Sequence, residues 1–243
     1  MSDGLSRRSF LLGATALTAS TGSVFAHVFR GQGMPWRGGM ANEPWYGTQR
    51  ETFFTPAEHE AVDAITARLI PSDDTGPGAR EADVVTFIDR QLGGFYGNAP
   101  HWYMQGPFPE EPLATQGYQL SQTPAQLWRD GLAALDAHCR QAFSDRRFAE
   151  LSEDEQDKVL AGLEEGDIEL DGVSGEAFFN FAREMTVEGF FCDPIYGGNR
   201  DMVGWRYVGF PGARYDYRDF IGHGGQPIDI APVGLSGGPE WNR

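Results

Sequence analysis

The chain has 243 residues and a formal charge of −16, with 32 Gly, 15 Pro, 17 Phe, 8 Tyr, 6 Trp and two Cys. An acidic surface of this size excludes nucleic acid as a partner, because duplex and single strands are held by basic patches, and it opposes adhesion to anionic lipid. Two isolated cysteines exclude a Cys-x-x-Cys-His haem attachment and an iron–sulfur cluster.

The chain opens with Ser6-Arg7-Arg8-Ser9-Phe10-Leu11, followed by a mildly apolar Gly/Ala/Thr-rich run and small residues ending at Ala26. This arrangement resembles a twin-arginine export signal, with Arg7, Arg8 and Phe10 as its core and cleavage expected after Ala26. A chance arginine pair, or an ordinary secretion signal for unfolded chains, is the alternative. The apolar run is shorter than the ~20 residues needed to span a bilayer. Removing residues 1–26, with Asp3, Arg7 and Arg8 at net +1, takes the remaining 217 residues from −16 to −17. That length suits one domain.

Residues 27–52 read as an extended arm, broken by Gly31, Gly33, Pro35, Gly38, Gly39 and Pro44 and anchored by Trp36, Trp45 and Tyr46. Thr55-Pro56-Ala57-Glu58 then predicts a helix start: an N-cap, a proline at the first helical position and a capping-box glutamate. Ala61, Val62, Ile65 and Leu69 give it one apolar stripe, and Pro71 ends it. The acidic stretch Ser72–Gly78 lacks the ligand spacing of a calcium loop and reads as a solvated turn. A second helix is predicted over Arg80–Leu92.

Residues 93–123 form a long loop carrying Phe95, Tyr96, Trp102, Tyr103, Phe108 and Tyr118, too aromatic for disorder and so expected to pack on a surface. Thr123-Pro124-Ala125-Gln126 opens a third helix running to about Phe143. Ser152-Glu153-Asp154-Glu155 caps a fourth. Ser174 opens a fifth through Phe190, apolar on more than one face and therefore expected at the centre. After Phe191 no regular element is predicted. The fold class is mostly α: a single compact domain of about five helices with long aromatic and glycine-rich loops.

No catalytic, cofactor or metal motif emerges. There is no Gly-x-Gly-x-x-Gly after a strand, no phosphate loop, no His-Glu-x-x-His and no Gly-x-Ser-x-Gly. His27, His59, His101, His138 and His223 are scattered, and His138 and Cys139 are helix neighbours whose side chains diverge. Export to an oxidising compartment permits a Cys139–Cys192 disulfide. Two separate buried thiols, or a bond from Cys192 to another subunit, are the alternatives.

One segment stands apart: Glu188-Gly-Phe-Phe-Cys-Asp193-Pro194-Ile-Tyr196-Gly197-Gly198-Asn199-Arg-Asp201, then Gly204-Trp205-Arg206 and Gly209-Phe210-Pro-Gly212. Its glycines permit close backbone approach, and Tyr196, Trp205 and Phe210 are rigid anchors of the kind found at interfaces. A loop packed on its own core explains the same residues.

This stretch resembles the signature of the gluconate 2-dehydrogenase subunit 3 family, and Thr-Pro-x-Glu leading to Leu69-Ile70-Pro71 is similar to the start of that domain. The likeness covers about residues 50–220, with 53–220 as the helical domain and 221–243 as an irregular tail. It implies a small, non-catalytic subunit that carries no cofactor of its own. Its expected partners are a large FAD-containing dehydrogenase subunit and a multihaem cytochrome c subunit that holds haem c. The twin-arginine translocase would export the small subunit with the flavoprotein bound, placing the complex in the periplasm at the inner membrane. On that likeness Asp193, Pro194, Tyr196, Gly197, Gly198, Asn199, Trp205 and Phe210 are candidate structural or interface positions. A rival reading makes the chain a stand-alone periplasmic sugar- or sugar-acid-binding protein or enzyme that uses its aromatic loops at 93–123 and 188–212.

Overall fold

The computed structural model describes residues 53–109, 113–214, 216–226 and 230–235. The export signal (Arg7, Arg8, Phe10, Ala26) and the arm at 27–52 lie outside the described residues. The described chain is mostly α and contains no extended strand, only isolated bridges. Five long helices carry it: α1 (Pro56–Leu69), α2 (Val84–Gly93), α4 (Pro124–Ala142), α5 (Glu153–Glu164) and α6 (Gly175–Phe191). Two short ones, α3 (Phe95–Asn98) and α7 (Val203–Val208), sit in stretches read from sequence as irregular. None of these helices is long and apolar enough to cross a membrane.

The predicted caps form as expected. The Thr55, Thr123 and Ser152 side chains accept the backbone N–H three residues on, and Glu58, Gln126 and Glu155 reach back in full capping boxes. Ser174 accepts from Ala177 N at 3.1 Å. Each box satisfies two backbone donors that a bare helix start leaves open.

Helix α6 is the central element, packing against α1, α2, α4, α5 and α7. Its Phe178 meets Trp128 edge-on at 5.5 Å, and Trp128 in turn meets Phe54 at 5.8 Å. The Trp128 indole donates to Met185 Sδ at 3.1 Å, so this buried N–H is satisfied by a neighbour from α6. Gly131 faces Phe178, and this lets α4 approach α6 closely. At the rim, Arg68 of α1 pairs with Glu153 and Asp157 of α5 at 2.6 and 2.7 Å. Arg129 pairs with Glu58, donates to the Phe53 carbonyl and covers the Phe53 ring.

The second helix begins at Val84 rather than Arg80. Asp83 takes a left-handed conformation (φ 55°), and Ala82, completely buried, gives its carbonyl to Arg200 N at 3.0 Å. A long-range bond thus claims an acceptor that a helix through residue 82 would use internally, and tertiary structure overrides local propensity.

Candidate functional site

The 188–212 segment is a clasp at the C-terminal end of α6. Helix α6 stops at Phe191, Cys192 is extended, and Asp193-Pro194 begins a 3-10 turn over Pro194–Tyr196. The Asp193 carboxylate is buried and bridges two backbones: Oδ1 accepts from Ile195 N at 3.0 Å, and Oδ2 accepts from Leu235 N at 2.6 Å. Residues 230–235 therefore lie on the clasp. Val233 is buried, pairs with Gly212 in a parallel bridge, and exchanges hydrogen bonds with Pro211 and Ala213. Arg214 adds a bond to the Ala231 carbonyl at 2.7 Å. This part of the tail, expected to be irregular, is held by side-chain and backbone bonds to the motif.

Asn199 is the keystone, completely buried with φ 44°. Its Nδ2 donates to the Cys192 carbonyl at 2.8 Å, and its Oδ1 accepts from Gly204 N at 2.9 Å. One side chain thus satisfies the end of α6 and the start of α7 together. Asp201 and Met202 are also left-handed, at 55° and 57°, so the chain reverses within four residues. Asparagine tolerates that region better than alanine. Trp205, buried on α7, donates its indole N–H to the Phe191 carbonyl at 2.7 Å and meets Phe210 edge-on at 5.1 Å.

The glycines mark where backbones cross. A Cβ on Gly198 would collide with the Gly189 carbonyl, and one on Gly204 with the Phe190 carbonyl; one on Gly189 would stand 2.8 Å from the Phe87 ring. Gly197, at φ 105°, lies under the Arg90 side chain of α2. Of the sequence candidates, Asp193, Gly198, Asn199 and Trp205 are turned inward onto this chain's own backbone. Pro194 and Gly197 are half-buried, and Tyr196 and Phe210 are at the surface.

Around the clasp lies an apolar rim missed in part by sequence reasoning. Phe191 and Phe210 flank Trp205 and are 37% and 45% exposed; Val187 stands one turn before Phe191 on the same face. Tyr207 and Val208 project from α7 at 52% and 55%, the Tyr207 ring covering Gly76. Only the i, i+4 spacing of Val187 and Phe191 could have pointed to the helix part of this rim.

The two cysteines are free: Cys139 is buried in α4 and Cys192 half-buried, with its Sγ 3.4 Å from the Gly189 carbonyl. Burial pushes both thiols up to about 12, with Asp136 adding to the effect at Cys139 and Asp193 at Cys192. Neither is ionised near neutrality, so neither is an activated nucleophile. No cluster of three His, Cys, Asp or Glu side chains that could hold a metal occurs among the described residues. At the acidic Ser72–Gly78 turn, the Asp73 carboxylate accepts from the N–H and hydroxyl of Thr75.

The site is thus a backbone clasp at the C-terminal end of the central helix of a mostly α domain, with an exposed apolar rim beside it. The chain belongs to the Gluconate 2-dehydrogenase subunit 3 family, whose model matches residues 56–212, well over half of its length. Comparison with curated proteins and with solved structures gives no match.

Proposed function

We propose that this chain is the non-catalytic small subunit of a periplasmic, membrane-associated, FAD-dependent sugar or sugar-acid dehydrogenase. In this role it escorts the flavoprotein subunit through twin-arginine export and stabilises it there. FAD sits in the large subunit, and haem c in a multihaem cytochrome subunit that takes the electrons. The observation that carries the reading is the rim at the end of α6, where Val187, Phe191, Tyr207, Val208 and Phe210 stand exposed beside the clasp. Family membership supplies the kind of partner, and Ser6-Arg7-Arg8-Ser9-Phe10 supplies the route. A folded-protein export signal suits a subunit that must bind its cofactor-bearing partner before crossing the membrane.

Tagged full-length chain recovered from its native membranes tests this. A large co-purifying polypeptide with flavin absorbance and haem bands is expected. Arg7→Lys together with Arg8→Lys should leave the flavoprotein in the cytoplasm. Phe191→Glu with Phe210→Glu should release it while leaving the chain's own melting curve close to wild type. A colourless single chain, or a flavoprotein that reaches the periplasm without the arginine pair, refutes the proposal.

A further inference from the structure

The stretch between α3 and α4 divides its aromatic side chains between two sides. On the inner side, Trp102 stands edge-on to Tyr96 at 5.5 Å and to Tyr118 at 5.1 Å, and both tyrosines reach Phe181 of α6, at 6.4 and 5.9 Å. Tyr118 donates its hydroxyl to the Gln122 carbonyl at 2.9 Å, and burial pushes that phenol up to about 12, so it stays neutral. These contacts fix the Trp102 and Tyr118 rings against the domain, as expected for a loop too aromatic for disorder.

The outer side is open. A cleft of about 440 Å³ lies among Trp102, Tyr103, Phe108 and Tyr118, with Gln105 and Gln119 supplying amides. The volume falls in the range of small-molecule sites. Tyr103 is 81% exposed and Phe108 is exposed beside it, so two rings stand in water at the cleft. Gln119 Nε2 donates to the Gln116 carbonyl at 2.8 Å, which orients the amide and leaves its Oε1 as an acceptor. Among the described residues none that lines the cleft carries a charge, in a chain where 22% of residues do and the net charge is −16.

We infer that this cleft is a binding site for a neutral pyranose. The apolar C–H face of such a ring stacks on aromatic faces, and its hydroxyls donate to amide and phenol oxygens. A purely apolar guest would leave the amides without partners. A sugar acid would bring a carboxylate into a cationless cleft on an acidic protein, against the field of the whole chain. The site lies outside the 188–212 clasp, and the inference stands or falls independently of the subunit reading.

Tryptophan-labelled full-length chain, followed by the Trp102 indole resonance, provides the test. Methyl β-glucopyranoside and cellobiose are the probes, with gluconate as the anionic control. The neutral sugars should shift Trp102 with a Kd on the order of 1 mM, typical for a ligand of this size in an open site. Tyr103→Ala should weaken binding about fivefold, the scale of one aromatic contact, without lowering the melting temperature of so exposed a position. Trp102→Ala should abolish binding, but it also removes packing on Tyr96 and Tyr118, so Tyr103→Ala is the decisive variant. The inference is overturned by an unmoved Trp102 signal at about 50 mM sugar, fifty times the expected Kd. Gluconate binding as tightly as the neutral sugars, or affinity unchanged in Tyr103→Ala, overturns it equally.

Discussion

Asn199 offers the sharpest test of the clasp. Replacing it with alanine removes two hydrogen bonds, from Nδ2 to the Cys192 carbonyl and from Gly204 N to Oδ1. The Gly204 N–H is buried, so its loss of partner costs about 1–3 kcal/mol; the half-buried Cys192 carbonyl costs less because water reaches it. Alanine at φ 44° adds about 1 kcal/mol that asparagine largely avoids. Together the destabilisation is about 3 kcal/mol, which for a domain of this size lowers the melting temperature by roughly 6–12 °C. Glycine separates the two contributions. Asn199→Gly loses the same bonds but accepts the left-handed backbone, so it should melt above Asn199→Ala by the equivalent of about 1 kcal/mol. Asn199→Asp keeps an acceptor for Gly204 but turns a carboxylate oxygen toward the Cys192 carbonyl. It should be at least as unstable as the alanine variant at neutral pH and recover on acidification, when the protonated carboxyl can donate. Thermal and urea melts of the four chains decide the matter. A wild-type-like Asn199→Ala, or a glycine variant no better than alanine, refutes the keystone role.

Three further expectations follow from the same geometry. Gly131→Ala improves helix propensity by about 1 kcal/mol but drives a Cβ into the Phe178 ring; overpacking of about 1–3 kcal/mol should win, and a partial rescue by Phe178→Leu in urea melts would identify the clash. Glu155 accepts from both guanidinium nitrogens of Arg146 and from Ser152, which together hold its carboxyl down to about 2 from an ordinary 4.5. With the folded value below the unfolded one, its contribution is complete above pH 4.5 and fades as pH falls toward 2. The melting gap between wild type and Glu155→Gln should therefore close over that window, and a gap that stays constant with pH rules the pairing out. Finally, Cys139 and Cys192 should react with a thiol reagent far more slowly than a free cysteine at pH 8 and fully after denaturation, and reductant should leave the melting temperature unchanged. A drop in melting temperature on reduction would show that the thiols pair.

The five long helices were legible because their signals are local. Thr55, Thr123, Ser152 and Ser174 each sit three residues before the N–H they cap, and the apolar stripes behind them repeat at helical spacing. The central place of α6 followed from apolar residues on more than one face, from Phe178 to Phe190. What escaped was non-local. The start of α2 at Val84 is fixed by a bond from residue 200 to residue 82, and Asn199 and Trp205 tie α7 back to the end of α6. The seating of 230–235 depends on Asp193, 42 residues from the N–H it accepts. The bonds from residue 200 to 82 and from 235 to 193 lie outside any window of twenty residues. Those around α7, though they span only 5 and 14 residues, join left-handed turns that carry no periodic signal.

The same distinction explains what the 188–212 motif encodes. Gly198 and Gly204 stand where one backbone passes within a methyl group's reach of another, at the Gly189 and Phe190 carbonyls, and Gly189 makes room for the Phe87 ring. Its polar residues, Asp193 and Asn199, spend their side chains on main-chain atoms of this same chain. These residue types specify a shape, and a sequence motif rich in them announces geometry before chemistry. In the proposed complex the positions that meet the partner are the rim's large apolar ones, Val187, Phe191, Tyr207, Val208 and Phe210, which stand exposed beside the clasp. Presenting five such side chains from a rigid support lowers the entropy lost on docking, which a flexible loop of the same composition would have to give up. The clasp and the rim thus separate two sets of residues that the motif interleaves in sequence: the small and polar residues, with the buried Phe190 and Trp205, set the fold, and Phe191, Tyr196 and Phe210 are left exposed.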